Sequence, residues 1–188
     1  MNRTHLDYLE SAAWAERLRA DLLPWIERAA ELGDDVLEIG PGPGLTTDLL
    51  RERTRRVTAV EIDATLAAKL SERLSSPNVE VVACDAARLE FPTGRFSAVT
   101  AFSMLHHVPS AEAQDAVLRE ACRVLRPGCG FFATDARDLE MIRAGHEGDT
   151  FLPLPLDTLV QRLEAAGFRQ VDIEVGAYEI RVSARKAV

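Results

Sequence analysis

The residues of this chain with the clearest chemical capacity are three glycines and three acids. Gly40, Gly42 and Gly44 alternate with prolines in residues 36–44 (VLEIGPGPG), the first of them two residues after Glu38. Without Cβ atoms there, the chain can turn sharply and a ligand can approach the main chain closely. Backbone amides at the start of a following helix add a partial positive charge suited to a carboxylate or other anion. The spacing is GxGxG: the sixth position counted from Gly40 is Leu45, where a dinucleotide fingerprint would carry its third glycine. Glu61 ends a second apolar run, 21 residues beyond Gly40. A nucleotide-type fold places there a carboxylate that accepts hydrogen bonds from ribose hydroxyls. Asp85 ends a third apolar run in the same way. His106, His107, His146 and His5 titrate nearest neutral pH and are the candidate bases.

These residues need elements to hold them. Residues 36–40 read as a short buried strand, the glycines as a tight turn, and residues 45–53 (LTTDLLRER) as a helix. Upstream, residues 5–32 carry leucines and Trp14 at helical spacing, interrupted by Pro24, which predicts two helices meeting near that proline. Downstream come strands over 57–63 and 79–85, with a helix over 64–75 between them and Asp63 as its N-cap. Residues 96–102 form a fourth strand that runs into SMLHHV, and residues 111–125 an amphipathic helix. A fifth strand follows in RPGCGFFATDA; its carboxyl end, with Thr134 and Asp135, should face the site, though both could equally cap a turn. Residues 137–156, with two glycines and two prolines, read as an irregular lid, the kind of loop in which function concentrates. A helix over 157–166 and an antiparallel pair, 170–175 and 178–184, close the chain.

The pattern E-x-G-x-G-x-G from Glu38 to Gly44 resembles motif I of the class I S-adenosylmethionine (SAM)-dependent methyltransferases. Three further stretches extend the likeness: Asp85-Ala86 resembles the adenine-binding position, strand four running into Leu105-His106-His107 resembles motif IV of small-molecule members, and RVLRPG at 123–128 resembles the connection into strand five. Ser97 stands where many relatives carry aspartate, at the far end of its strand. The likeness covers about residues 36–128, and as a whole the chain looks like a minimal actinobacterial-type small-molecule methyltransferase. It implies an α/β, Rossmann-like, seven-stranded and mostly parallel sheet with helices on both faces and an antiparallel C-terminal hairpin. It also implies one domain over residues 1–188, with 1–32 as a helical cap. SAM would be the cofactor, giving S-adenosylhomocysteine as product. Its contacts would come from Glu38, Gly40, Gly42, Gly44, Glu61, Ile62, Asp85, Ala86, Phe102 and Leu105. His106 and His146 are the catalytic candidates, and Tyr8 and Trp14 could close the site from the N-terminal helices.

Composition narrows the partners. The chain has 188 residues, enough for one domain with a sizeable core, and a net charge of −8, which opposes non-specific attraction to nucleic acid or an anionic membrane. Arg51, Arg53, Arg55 and Arg56 read as cations closing a helix. The three cysteines fit neither a disulfide framework nor a zinc site, and no spacing of His, Asp and Glu reads as a metal site. Metal-independent transfer to a small-molecule acceptor is therefore expected. With no signal peptide and no membrane-length apolar run, the expected location is cytoplasmic. A homodimer through the N-terminal helices or the edge hairpin is left open. Two other readings compete. An rRNA adenine dimethyltransferase shares the first two motifs, but its Asn-Pro-aromatic clamp has no counterpart in FSMLHHV. A catalytically silent SAM-binding module is the second, and the GxGxG spacing argues against a NAD oxidoreductase.

Overall fold

A computed structural model describes residues 3–29 and 31–188, with side chains described for 6–29 and 31–188. The chain opens with helices α1 (Arg3–Leu9), α2 (Ala12–Arg17) and α3 (Leu23–Ala29). Strands and helices then alternate as β1 (Asp35–Ile39), α4 (Leu45–Leu50), β2 (Arg56–Glu61), α5 (Ala64–Arg73), β3 (Val79–Ala83) and β4 (Phe96–Phe102). After a 3-10 turn (Leu105–His107) come α6 (Ala111–Val124), β5 (Leu125–Ala136), α7 (Glu140–Gly145) and α8 (Leu159–Ala165), then β6 (Phe168–Val175) and β7 (Glu179–Lys186).

The strands form one sheet in the order β3-β2-β1-β4-β5-β7-β6. The first five pair in parallel, and β7 runs antiparallel to both β5 and β6. Strand order reverses between β1 and β4, and an open α/β sheet binds its ligands outside the carboxyl ends of the strands at such a point. This is the seven-stranded Rossmann-like architecture expected from the sequence. All five residues of β1 and all seven of β4 are buried, as continuous apolar runs covered on both faces should be.

Side-chain alternation splits the core in two. Leu37, Ile39, Val99 and Phe131 pack with α6, α8 and the C-terminal hairpin. Val36, Val57, Ala98 and Phe132 pack on the opposite face against α4 and the N-terminal helices, through Leu18, Trp25 and Ile26. Period two puts Glu38 on the Val36 face, toward α4. Trp25 Nε1 donates to Glu174 Oε1 at 2.9 Å, and Arg17 pairs with Glu179 and Arg181 with Asp21. The N-terminal helices are thereby fastened to the terminal hairpin.

Two local readings of the sequence change. Pro24 does not separate two helices; the helical backbone runs unbroken from Ala12 to Ala29 and passes through it. The ladder widens just before it into a π-helical turn over Leu18–Leu22, with Leu23 N donating to Leu18 O. The helix after the glycine loop ends at Leu50, three residues early, and its arginines serve locally: Arg51 pairs with Asp48 and Arg53 with Glu27. Asp63 is the N-cap it was expected to be, its Oδ1 accepting from Thr65 N and Leu66 N. Ser97 Oγ accepts from Asp35 N at 2.9 Å and donates to the carbonyls around it, a structural knot at the amino end of β4. All three cysteines are free thiols. Among the described residues no helix is long and apolar enough to cross a membrane.

Candidate active site

A cavity of about 440 Å³ opens at the carboxyl ends of β1, β2 and β4, where the strand order reverses. Its walls come from four places in the chain: Gly40, Pro41 and Thr46 of the glycine loop; Glu61, Ile62 and Asp63 after β2; Asp85 and Ala86 after β3; and Phe102, Ser103 and Met104 after β4. Leu9 and Trp14 close it from the N-terminal helices, whereas Tyr8 stacks on Trp14 and stays largely exposed.

The glycine loop is folded by its own backbone needs. Gly40, Gly42 and Gly44 all adopt positive φ (67°, 52° and 86°), which favours glycine. A Cβ on Gly40 would stand 2.8 Å from Met104 Cβ, and one on Gly44 would stand 2.2 Å from Leu70 Cδ1. Close packing against the β4 turn and α5 therefore leaves no room for a side chain at either position. Gly42 serves the site: its N–H donates to Glu61 Oε2 at 3.3 Å, while Glu61 Oε1 accepts from Asp63 N at 3.0 Å. Two backbone amides hold this carboxylate on the cavity wall, and each oxygen keeps a lone pair for a further donor. Asp85 is held similarly, its Oδ1 accepting from Ala87 N at 2.9 Å.

Glu38 takes a different part. It is 1% exposed and accepts from Thr47 Oγ1 at 2.6 Å, beneath the loop and not on the cavity wall. Burial pushes its carboxyl up to about 7, with the Thr46 and Thr47 hydroxyls pulling back. Leu105 likewise belongs to the core and not to the wall.

The adjacent histidines divide. The 3-10 turn sets consecutive side chains about 120° apart, so His106 points inward and His107 faces the cavity. His106 is 1% exposed; its Nδ1 contacts Asp135 Oδ1, and its backbone N–H donates to Asp135 Oδ2 at 3.1 Å. His146, at the end of α7, places its Nε2 3.2 Å from His106 Nε2 and donates from Nδ1 to Ile142 O at 2.7 Å. Neither expected catalytic histidine lines the cavity. His107 does, beside Asp149 and Thr150, with its Nδ1 donating to Thr150 O at 3.1 Å. Burial, reinforced by the neighbouring His106 ring, pushes His107 down to about 4. The stretch 137–156 is thus ordered over the site: Leu152 N donates to His106 O at 2.7 Å, and Leu154 is buried in the core. Asp135 was legible only as a strand-end acid, and nothing in the local sequence joins it to His106 across 29 residues.

Comparison with known proteins agrees with this geometry. Residues 36–128 match the family described as methyltransferase domain. The chain is 49% identical over 79 residues to an rRNA adenine N-6-methyltransferase of Saccharopolyspora erythraea, an alignment covering 40% of this chain and 21% of that one. The chain spans about a fifth to a third of the length of the curated relatives it matches. Among solved structures, a Pyrococcus horikoshii protein superposes with a TM-score of 0.80 at 21% identity, covering 95% of this chain and 93% of that one. A SAM-dependent methyltransferase from Aquifex aeolicus gives 0.75 at 21% identity, covering 98% of each. At such identities the likeness is one of fold.

Proposed function

We propose that this chain transfers a methyl group from SAM to a small-molecule acceptor. The observation that carries the reading is one cavity lined by two kinds of residue. Glu61 and Asp85, both held by backbone amides, line it together with His107, Asp149 and Thr150, which come from the β4 turn and the segment after α7. The two carboxylates suit SAM. Glu61 can accept from two ribose hydroxyls, Asp85 from an exocyclic amine, and the Ile62 and Phe102 side chains offer apolar cover. A cavity of this size falls in the range of small-ligand sites.

Bound there, SAM supplies an electrophilic methyl group on a sulfonium. The chain's own residues supply position and dryness, which account for much of the acceleration in such transfers. Met104, Phe102 and Trp14 exclude water, and Asp149 and Thr150 of the 137–156 segment add to the wall. His106 and His146 stand behind His107 and set the shape of that wall, so we assign them positioning roles without contact to the reacting atoms.

A second reading has one observation in its favour: the 49% identity to an rRNA adenine methyltransferase. That identity covers 40% of this chain and 21% of the relative, and the net charge of −8 works against phosphate-backbone binding. Calorimetric titration with S-adenosylhomocysteine, beside NAD, tests the cofactor. Binding of the former alone is expected, weakened at least about tenfold in Glu61→Ala, the loss of about 1.4 kcal/mol. Equal affinity of wild type and variant would place the cofactor elsewhere. Methyl transfer to rRNA, with none to a panel of small oxygen, nitrogen and carbon nucleophiles, would decide for the second reading.

A further inference from the structure

We propose that His106, His107 and His146 bind a divalent transition-metal ion of the zinc class, and that the ion pins the segment over the cavity to the β4 turn. Each of the three offers a ligand nitrogen, and those nitrogens lie within 4.8 Å of one another. The tautomers point the same way. His146 Nδ1 lies on the Ile142 carbonyl and His107 Nδ1 on the Thr150 carbonyl, and a carbonyl can only accept, so both Nδ1 atoms carry the proton. His106 Nδ1 lies on the Asp135 carboxylate, the arrangement that orients a metal-bound imidazole and raises its basicity. With Nδ1 so engaged in each ring, Nε2 is the nitrogen that would ligate the metal.

The distances fit an ion. His106 Nε2 and His146 Nε2 stand 3.2 Å apart, a separation that a bridging metal ion or a shared proton can each hold. Two nitrogens on a tetrahedral zinc, at 2.0–2.1 Å from the metal, are about 3.3 Å apart. His107, within 4.8 Å, closes onto the same ion by a shift of at most about 1.5 Å. The ligands come from the turn after β4 (His106, His107) and the end of α7 (His146), so the ion ties together elements separated by 40 residues. Phe151 packs against both the His106 and His146 rings and screens the cluster from water.

The test uses the whole chain without an added histidine tag, and it is read without methyl donor or acceptor. Elemental analysis after purification in zinc-containing medium should give one zinc per chain. Protein stripped with a chelator should take up one equivalent of Co²⁺ with visible absorption of tetrahedral intensity. His146→Ala should abolish that absorption while the far-ultraviolet circular dichroism stays unchanged, and His107→Ala serves the same purpose should the first variant unfold. Asp135→Asn, which keeps the shape but removes the carboxylate behind His106, should weaken Co²⁺ binding about 10- to 100-fold. Zinc should also slow proteolysis within residues 137–156. Metal well below one equivalent, or uptake unchanged in both His146→Ala and His107→Ala, overturns the site and leaves a proton shared between His106 and His146.

Discussion

Replacing Glu38 by glutamine should flatten the dependence of stability on pH. The carboxyl lies 1% exposed between β1 and α4, and burial holds it at about 7 against an ordinary 4.5. The folded protein keeps this proton where the unfolded chain releases it. The contribution of the group is therefore whole below pH 4.5, is lost as pH rises from 4.5 toward 7, and stays lost above that. A displacement of this size corresponds to about 3 kcal/mol, of which about 2.5 kcal/mol falls between pH 5 and pH 8. In Glu38→Gln the amide oxygen can still accept from Thr47 Oγ1, but nothing ionises. The new NH2 group takes the place of Oε1, a buried atom with no hydrogen-bond partner among the described residues. That costs about 1–3 kcal/mol at every pH. The variant should thus be less stable than wild type at pH 5 and equal to it or more stable at pH 8. Urea titrations at the two values, each compared with wild type so that the other carboxylates cancel, measure the change. If the difference between variant and wild type is the same at both pH values, Glu38 does not carry a buried proton and the reasoning fails.

Gly44→Ala should cost about 1–3 kcal/mol, since φ is +86° and the new methyl would stand 2.2 Å from Leu70 Cδ1; thermal unfolding reads this, and an unchanged midpoint would mean that α5 gives way freely. Phe168→Ala should cost about 3–5 kcal/mol, because the ring is fully buried, with its centroid 5.0 Å from that of Phe131; a loss below 1 kcal/mol would mean that the core under β6 refills.

Much of this protein could be read along the chain because its signals are local. The apolar runs of β1, β2 and β4, the glycines that follow β1, and the acids Glu61 and Asp85 at strand ends each declare themselves within a few residues. Parallel β-α alternation then has few ways to close, and the right-handed crossover brings those strand ends to one edge. Glu61, Asp85, Gly40, Ile62, Ala86 and Phe102 reach the cavity for that reason.

What stayed hidden was which way each side chain faces and what it meets across the chain. Glu38 reads as the acid of the glycine-loop motif and a cofactor contact, yet strand alternation turns it under the loop onto Thr47. Leu-His-His implies that one of the adjacent histidines faces the site and the other the protein, but only the 3-10 turn shows that His106 goes inward to Asp135 and His107 to the cavity. The meeting of His146 with His106 and His107 depends on the course of residues 137–156 over the β4 turn, 40 residues away. Local propensity records a residue's own backbone, whereas such contacts exist only once the sheet has closed and the segments between its strands have been laid across it.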